Sequence, residues 1–145
     1  MFTAIAQHRF WRSHALLVAR VVMGGVFLTA AYMKFTGIDV TAGYIASAGF
    51  PFPLALAWVA AFSELALGLA LVTGAYFSEA ALLLAAYVLF LAFTFYGPSK
   101  WGTGQYEFGL FVNHFTMVAG LLFMVAHGPG DTWQIGKIFS AKSQI

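Results

Sequence analysis

Four long apolar stretches dominate the chain, and polar residues concentrate between them and at the two ends. The stretches cover residues 14–35, 54–74, 77–97 and 107–127. Each is about 20 residues long, which is the length that an α-helix needs to cross roughly 30 Å of hydrocarbon. The pattern therefore predicts an all-α fold, a polytopic membrane four-helix bundle that forms one transmembrane domain over residues 1–145.

The connection between the first two spans has a pattern of its own. In TGIDVTAGYIASAGFPFP, Asp39 precedes VTAGYIASA and resembles the N-cap of a short helix that lies at the membrane interface. Pro53 then stands near the first turn of the second span. The link around AYFSE is so short that spans two and three are expected to be antiparallel neighbours.

Composition supports the membrane assignment and narrows the function. Of 145 residues, 61% are hydrophobic and 8% are charged, and the mean hydropathy is +0.85, which excludes an ordinary soluble domain. The formal net charge is only +2 and the basic residues are scattered, so no nucleic-acid surface is expected. The chain has no cysteine, which excludes disulfides and thiolate metal sites. Redox electrons would have to travel on a bound cofactor or a partner protein.

The distribution of basic residues predicts the orientation in the membrane. An even number of spans places both termini on one side, and the apolar stretch after MFTAIAQHRFWRSH is long enough to be a retained helix instead of a cleaved signal peptide. The positive-inside rule then favours cytoplasmic termini. The residues compared are Arg9, Arg12, Lys137 and Lys142 at the termini against Lys34 and Lys100 in the opposite loops.

One carboxylate interrupts the second span. Glu64 lies eleven residues after Pro53, about 16 Å into the membrane at 1.5 Å per residue, where an ionised group needs a partner or a proton. Arg20 and Lys34 share one stripe of span one, and small residues flank Glu64 on a matching stripe. We predict that these faces pack and that Arg20 holds Glu64, since a guanidinium suits a carboxylate. Such a pair either only fixes helix register or marks a functional site.

Span four adds further polar residues in FVNHFTMVAG. His114 lies seven residues after Glu107, about 10 Å below the surface and between Glu64 and Lys34 in height. Asn113 points about 100° away from His114 on the helix, so both side chains would border the same pocket only if the pocket is wide. The predicted site is therefore a pocket beside Glu64 that opens toward Lys34 and His114, although a buried histidine is also common as a hydrogen-bonded packing residue.

The loop before span four supplies candidates for a lid over this pocket, and the same residues are equally consistent with an ordinary loop and aromatic belt. They are Tyr96, Lys100, Trp101 and Glu107. The four histidines offer no pair at one depth and no haem-attachment motif. The sequence thus predicts no metal site, no haem and no covalently bound cofactor.

The order of motifs resembles a known family. An arginine within span one, KF at its end, GFPFPLA, SELALGLALVTG and a final helix that runs to HGPG are similar to the DoxX/DoxD family of small four-helix bacterial membrane proteins, along residues 14–130. The resemblance implies a multi-pass protein of the bacterial inner membrane. It aligns Arg20, Lys34, Glu64 and Asn113 with polar positions of the family.

The resemblance also implies an association with membrane redox systems. DoxD-like members are subunits of thiosulfate:quinone oxidoreductase, and others accompany thiol-stress or quinone-detoxification systems. For this chain we expect a non-catalytic or partner-dependent subunit of an oxidoreductase that binds a quinone or another small apolar ligand. Its expected partners are the lipid membrane and either another protein or further copies of itself.

Two alternatives remain open at this stage. The chain is also consistent with a structural or assembly subunit of a larger membrane complex, in which the polar groups only fix packing. A proton-coupled small-molecule transporter would use Glu64 to bind proton and substrate in turn. Arg20 and Lys34 on the stripe facing Glu64 predict an excess of positive charge, which disfavours a cationic substrate.

Overall fold

The computed structural model describes residues 9–103 and 105–130. Over these residues the chain is helical, with four helices long and apolar enough to cross a membrane. The predicted all-α four-span fold with a short extra helix is confirmed. The elements are α1 (Arg9–Thr36), α2 (Ile38–Ser47), α3 (Pro53–Thr73), α4 (Phe77–Tyr96), a 3₁₀ helix (Pro98–Thr103) and α5 (Gln105–His127).

Local sequence explains where these helices begin and end. Pro53 occupies the first turn of α3, where its missing N–H costs nothing, and Gly74 ends α3 in the left-handed conformation (φ 75°) that glycine adopts without strain. The prediction that Asp39 caps α2 is wrong. Gly37 is the N-cap, and Asp39 lies inside the first turn, where its charge still faces the positive end of the helix dipole.

The bundle consists of two closely packed helix pairs, α1 with α3 and α4 with α5. Gly24 and Gly68 allow the first pair to approach, since a Cβ atom on Gly24 would lie 2.9 Å from the carbonyl oxygen of Gly68. The faces of spans one and two that carry the small residues therefore do pack. Spans two and three are neighbours too, as the short link predicts, but their contact is less extensive.

The two ends of the bundle differ in how well they are filled. At the end where α1 begins and α5 ends, apolar side chains form the core, and we call this part the closed half. Toward α2 the helices separate around a cavity, and we call this part the open half. The fully buried or nearly buried core residues are Phe27, Leu71, Phe77, Ala80, Ala81, Leu84, Ala85, Val88, Leu121 and Met124.

Candidate functional site

Glu64 is the centre of a small buried polar cluster. Glu64 is 2% exposed, and each of its carboxylate oxygens accepts one hydrogen bond. Lys34 Nζ donates to Oε2 at 2.7 Å, and Tyr87 Oη donates to Oε1 at 2.7 Å. The cluster joins α1, α3 and α4 near the middle of the bundle. Both oxygens of the carboxylate thus have a donor although the group lies about 16 Å along a membrane-spanning helix.

The direction of helical side chains explains why Lys34 reaches Glu64. Cα–Cβ bonds tilt toward the N-terminus of their own helix, and α1 and α3 run antiparallel. Lys34 therefore points back into the bundle, whereas Glu64 points up toward the α2 end. The two side chains converge, and their ion pair closes at 2.7 Å.

The expected pair between Arg20 and Glu64 is not formed. Gly24 lies level with Gly68, so Arg20 and Glu64 are separated by about eight residues, or roughly 12 Å along the axis, and the tilt of Arg20 carries it further away. Arg20 is fully buried in the closed half and donates from Nη1 to the Pro129 carbonyl at 3.0 Å. The predicted pair compared the positions of Arg20 and Glu64 along their helices and did not include the direction in which the Arg20 side chain points.

A cavity of about 750 Å³ lies in the open half beside this cluster, and we call it the Lys34 cavity. Its walls come from all five α-helices and are mainly apolar. Glu64 does not line it, contrary to the prediction, because Lys34 and Tyr87 stand between. The lining residues are Ala30, Met33, Lys34, Gly37, Val40, Thr41, Tyr44, Ile45, Phe50, Leu56, Val59, Ala60, Ser63, Tyr87, Phe90, Leu91, Phe95, Tyr96 and His114.

The Lys34 cavity is a cleft and not a sealed void. Val59 on α3 and Phe90 on α4 both line it, yet they are 60% and 51% exposed. Part of the opening therefore lies where α3 and α4 separate. Helix α2 covers the end of the cleft, held by the stacked rings of Tyr44 and Phe95 at a centroid distance of 4.9 Å.

His114 brings a second polar group to the Lys34 cavity. Its Nδ1 lies 2.7 Å from the Leu110 carbonyl oxygen, which can only accept, so Nδ1 carries the hydrogen. In the neutral ring Nε2 is then the acceptor. The ring packs on Tyr96 at a centroid distance of 4.8 Å. Lys34 on α1 and His114 on α5 thus border one cavity, as the sequence predicts.

Asn113 does not join this site. The residue is exposed on the surface of α5 and does not line the Lys34 cavity. The helical wheel already separates it from His114 by about 100°, and the Lys34 cavity is not wide enough to include both. Of the five site candidates, Lys34 and His114 line the cavity, Glu64 lies directly behind Lys34, and Arg20 and Asn113 lie elsewhere.

Three of the four lid candidates line a second and more polar cavity of about 490 Å³. Lys100 and Glu107 line this cavity, and Tyr96 lines both. Trp101 lines neither, because it packs edge-on against Phe108 and donates from Nε1 to the Tyr96 carbonyl. Only Tyr96 is thus placed to cover the Lys34 cavity.

Tyr87 is a site residue that the sequence reasoning missed. Glu64 lies ten residues before Gly74, and Tyr87 lies ten residues after Phe77. Because α3 and α4 are antiparallel and joined by a short turn, equal spacing from that turn places the two side chains at one depth. This spacing is a signal that could have found it.

Residues 9–103 and 105–130 contain no group of three or more His, Asp or Glu side chains that could hold a metal ion. His8, one of the four histidines, and Lys137 and Lys142, which enter the orientation prediction, lie outside the described residues. The fixed charges beside the Lys34 cavity are one ammonium and one carboxylate, so the expected excess of positive charge is wrong, since it counted Arg20.

A family model and a known relative assign this chain to a family. The sequence model of the DoxX family matches residues 15–97. Inner membrane protein YqjF of Escherichia coli strain K12 is 31% identical over 128 residues, which cover 88% of this chain and 93% of that protein. No solved structure gives a match. The four spans and this relative support a location in the bacterial inner membrane, and the chain belongs to the DoxX family as an integral membrane protein.

Proposed function

We propose that the protein binds a small, neutral and mostly apolar ligand of the quinone class in the Lys34 cavity, as the membrane subunit of a quinone-linked redox system. The observation that carries this proposal is an apolar cleft inside the membrane-spanning bundle that ends at an ammonium group. Its volume of about 750 Å³ lies within the range of small-molecule sites, about 300–1,000 Å³.

The charge arrangement favours a ligand that offers an acceptor. An ammonium group has three N–H donors, and Lys34 uses one on Glu64. The positive end of the ion pair faces the cavity, and the negative end is buried behind it. A carbonyl oxygen would be stabilised at this end, whereas a cation would be repelled. Because the charges of Lys34 and Glu64 balance each other, a neutral ligand leaves no unpaired charge in the site.

The open side of the cleft suits a ligand that travels in the bilayer. Quinones are dissolved in the hydrocarbon, and the Lys34 cavity opens between α3 and α4, where lipid would surround the bundle. His114 and the hydroxyl groups of Tyr44 and Tyr96 stand near α2 and are suited to the polar edge of a ring. Electrons would come from a partner protein, because the chain has no cysteine.

The proposed orientation places the termini in the cytoplasm, so the open half and α2 face the periplasm. It rests on the basic residues of the termini and the positive-inside rule. Reporter domains fused to the C-terminus and to the loop of residues 98–103 test it. An enzyme active only in the cytoplasm should work at the terminus, and one active only in the periplasm should work in the loop. The reverse pattern would overturn the orientation.

Binding of a short-chain ubiquinone to the purified protein in nanodiscs tests the ligand proposal. Calorimetric titration, with empty nanodiscs to subtract partitioning, should show a saturable site. Ala60→Phe places a ring in the cavity that Ala60 lines and should weaken binding by about tenfold or more. Ala66→Phe is the matched control, because Ala66 lies on the same helix and is exposed outside the cavity.

A second variant tests the role of the donor. Lys34→Met combined with Glu64→Gln removes both charges and keeps an oxygen for Tyr87, and it should weaken quinone binding while the protein still folds. Equal partitioning into protein-containing and empty nanodiscs would overturn the proposal. Equal affinities for the Ala60→Phe and Ala66→Phe variants would do the same, and a structural subunit would then be the better account.

A further inference from the structure

We propose that α5 forms a symmetric contact with a second copy of this chain, centred on Asn113. This inference is independent of the quinone proposal and concerns a different face of α5 from the one that carries His114. Helix α5 is the most exposed of the four spans, and Leu121 and Met124 are its buried residues. Most of its surface therefore faces outward from the bundle.

The amide of Asn113 is the polar group that requires a partner here. It lies eight residues into α5, about 12 Å along the axis, and it is exposed. Among the residues that the structure describes, none forms a hydrogen bond with this side chain. In hydrocarbon such a group is costly unless it finds a hydrogen-bond partner.

Exposed threonines on the membrane-spanning helices do not present this difficulty. Thr116 donates to the Val112 carbonyl and Thr29 donates to the Gly25 carbonyl, each four residues earlier in its own helix. A short hydroxyl side chain satisfies itself in this way. The Asn113 amide has two N–H donors and an acceptor oxygen and lacks such a bond, which distinguishes it from these threonines.

A second copy satisfies Asn113 because an amide is complementary to itself. Two copies in one membrane share the same orientation, so a two-fold axis along the membrane normal places both Asn113 residues at the same depth. The N–H group of each can then donate to the oxygen of the other. Interhelical bonds of this kind join membrane helices.

The neighbouring surface permits the close approach that such bonds need. Gly109 lies one turn before Asn113, and a Cβ atom built on it would meet nothing within 4 Å. Thr116 lies on the following turn and is also exposed. Small side chains at this spacing let two helix backbones come together.

Disulfide cross-linking tests the contact, because the chain has no cysteine of its own. A Thr116→Cys variant in membranes should form a dimer under copper-phenanthroline oxidation. Val26→Cys is the matched control, since Val26 on α1 is 47% exposed and lies at a similar depth. The expected product has twice the mass of the chain and forms much faster for Thr116→Cys than for Val26→Cys.

A second substitution links the contact to the amide. Asn113→Leu in the Thr116→Cys background should weaken dimerisation about three- to tenfold, while Asn113→Gln should retain part of it. Thermal unfolding of the Asn113→Leu variant, measured at a dilution where the unsubstituted protein is also monomeric, should be unchanged, which shows that the fold is intact. Equal cross-linking at Thr116 and Val26, no effect of Asn113→Leu, or a product with the mass of another protein would each overturn the proposal.

Discussion

The closed and open halves of the bundle are built from the same helices but are stabilised differently. In α4, Leu84 is fully buried in the core of the closed half, whereas Leu91, two turns later, lines the Lys34 cavity. In α3, Gly68 touches α1 directly, but Val59 faces the cleft. The same helix thus changes from a packing element to a cavity wall along its length.

The difference lies in what fills the space between the helices. Small residues and apolar side chains bring the helices together in the closed half, and there is little volume left. In the open half, the Lys34–Glu64–Tyr87 cluster and the aromatic contacts of α2 connect helices that otherwise separate. A cluster of this kind connects three helices through polar contacts and leaves room beside it.

The largest expected effect follows from breaking the ion pair that holds the open half. Lys34→Met leaves Glu64 buried without its cation, and breaking a buried pair costs about 3–5 kcal/mol. The value here should fall near the lower limit, because the Lys34 side chain is 22% exposed. Adding Glu64→Gln should recover most of the loss. Unfolding by sodium dodecyl sulfate measures both variants, and no recovery in the double variant would contradict the expectation.

Truncation of one leucine in each half compares the halves directly. Leu84→Ala should lower the free energy of unfolding by about 2–5 kcal/mol, because it opens a void in a packed core. Leu91→Ala enlarges a cavity that already exists and should cost clearly less. Both residues lie on α4, so helix propensity changes equally. Equal losses in thermal unfolding would show that the halves are packed alike.

The sequence predicted the fold well because membrane length and apolar runs leave few choices. All four spans and the short helix before Pro53 followed from these patterns. The positions of Lys34 and His114 along their helices were enough to predict that both border one cavity. Height could not show that Arg20 points away from Glu64, because that depends on helix direction and side-chain tilt. It also could not show that Asn113 faces outward, because the rotation of α5 is set by packing.

The close approach of α1 and α3 provides a smaller effect that is specific to the closed half. A Cβ atom on Gly24 would lie 2.6 Å from Val72 Cγ2 and 2.9 Å from the Gly68 oxygen, whereas one on Gly25 would meet nothing within 4 Å. Gly24→Ala should therefore destabilise the protein by about 1–3 kcal/mol. Gly25→Ala, the control, should be neutral or stabilising. Similar unfolding temperatures for the two variants would argue against the close contact.

The smallest effect concerns the open half alone and depends on the proposed ligand. At about ten times its dissociation constant, a short-chain ubiquinone should stabilise the folded state by about 1.4 kcal/mol. Because the Lys34 cavity lies beneath α2, hydrogen exchange should slow in α2 and in the last turns of α4. Exchange around Leu84 should change little, since that core is already packed. Protection spread evenly over both halves would indicate general binding to the apolar surface, because a ligand in the cleft contacts only one half.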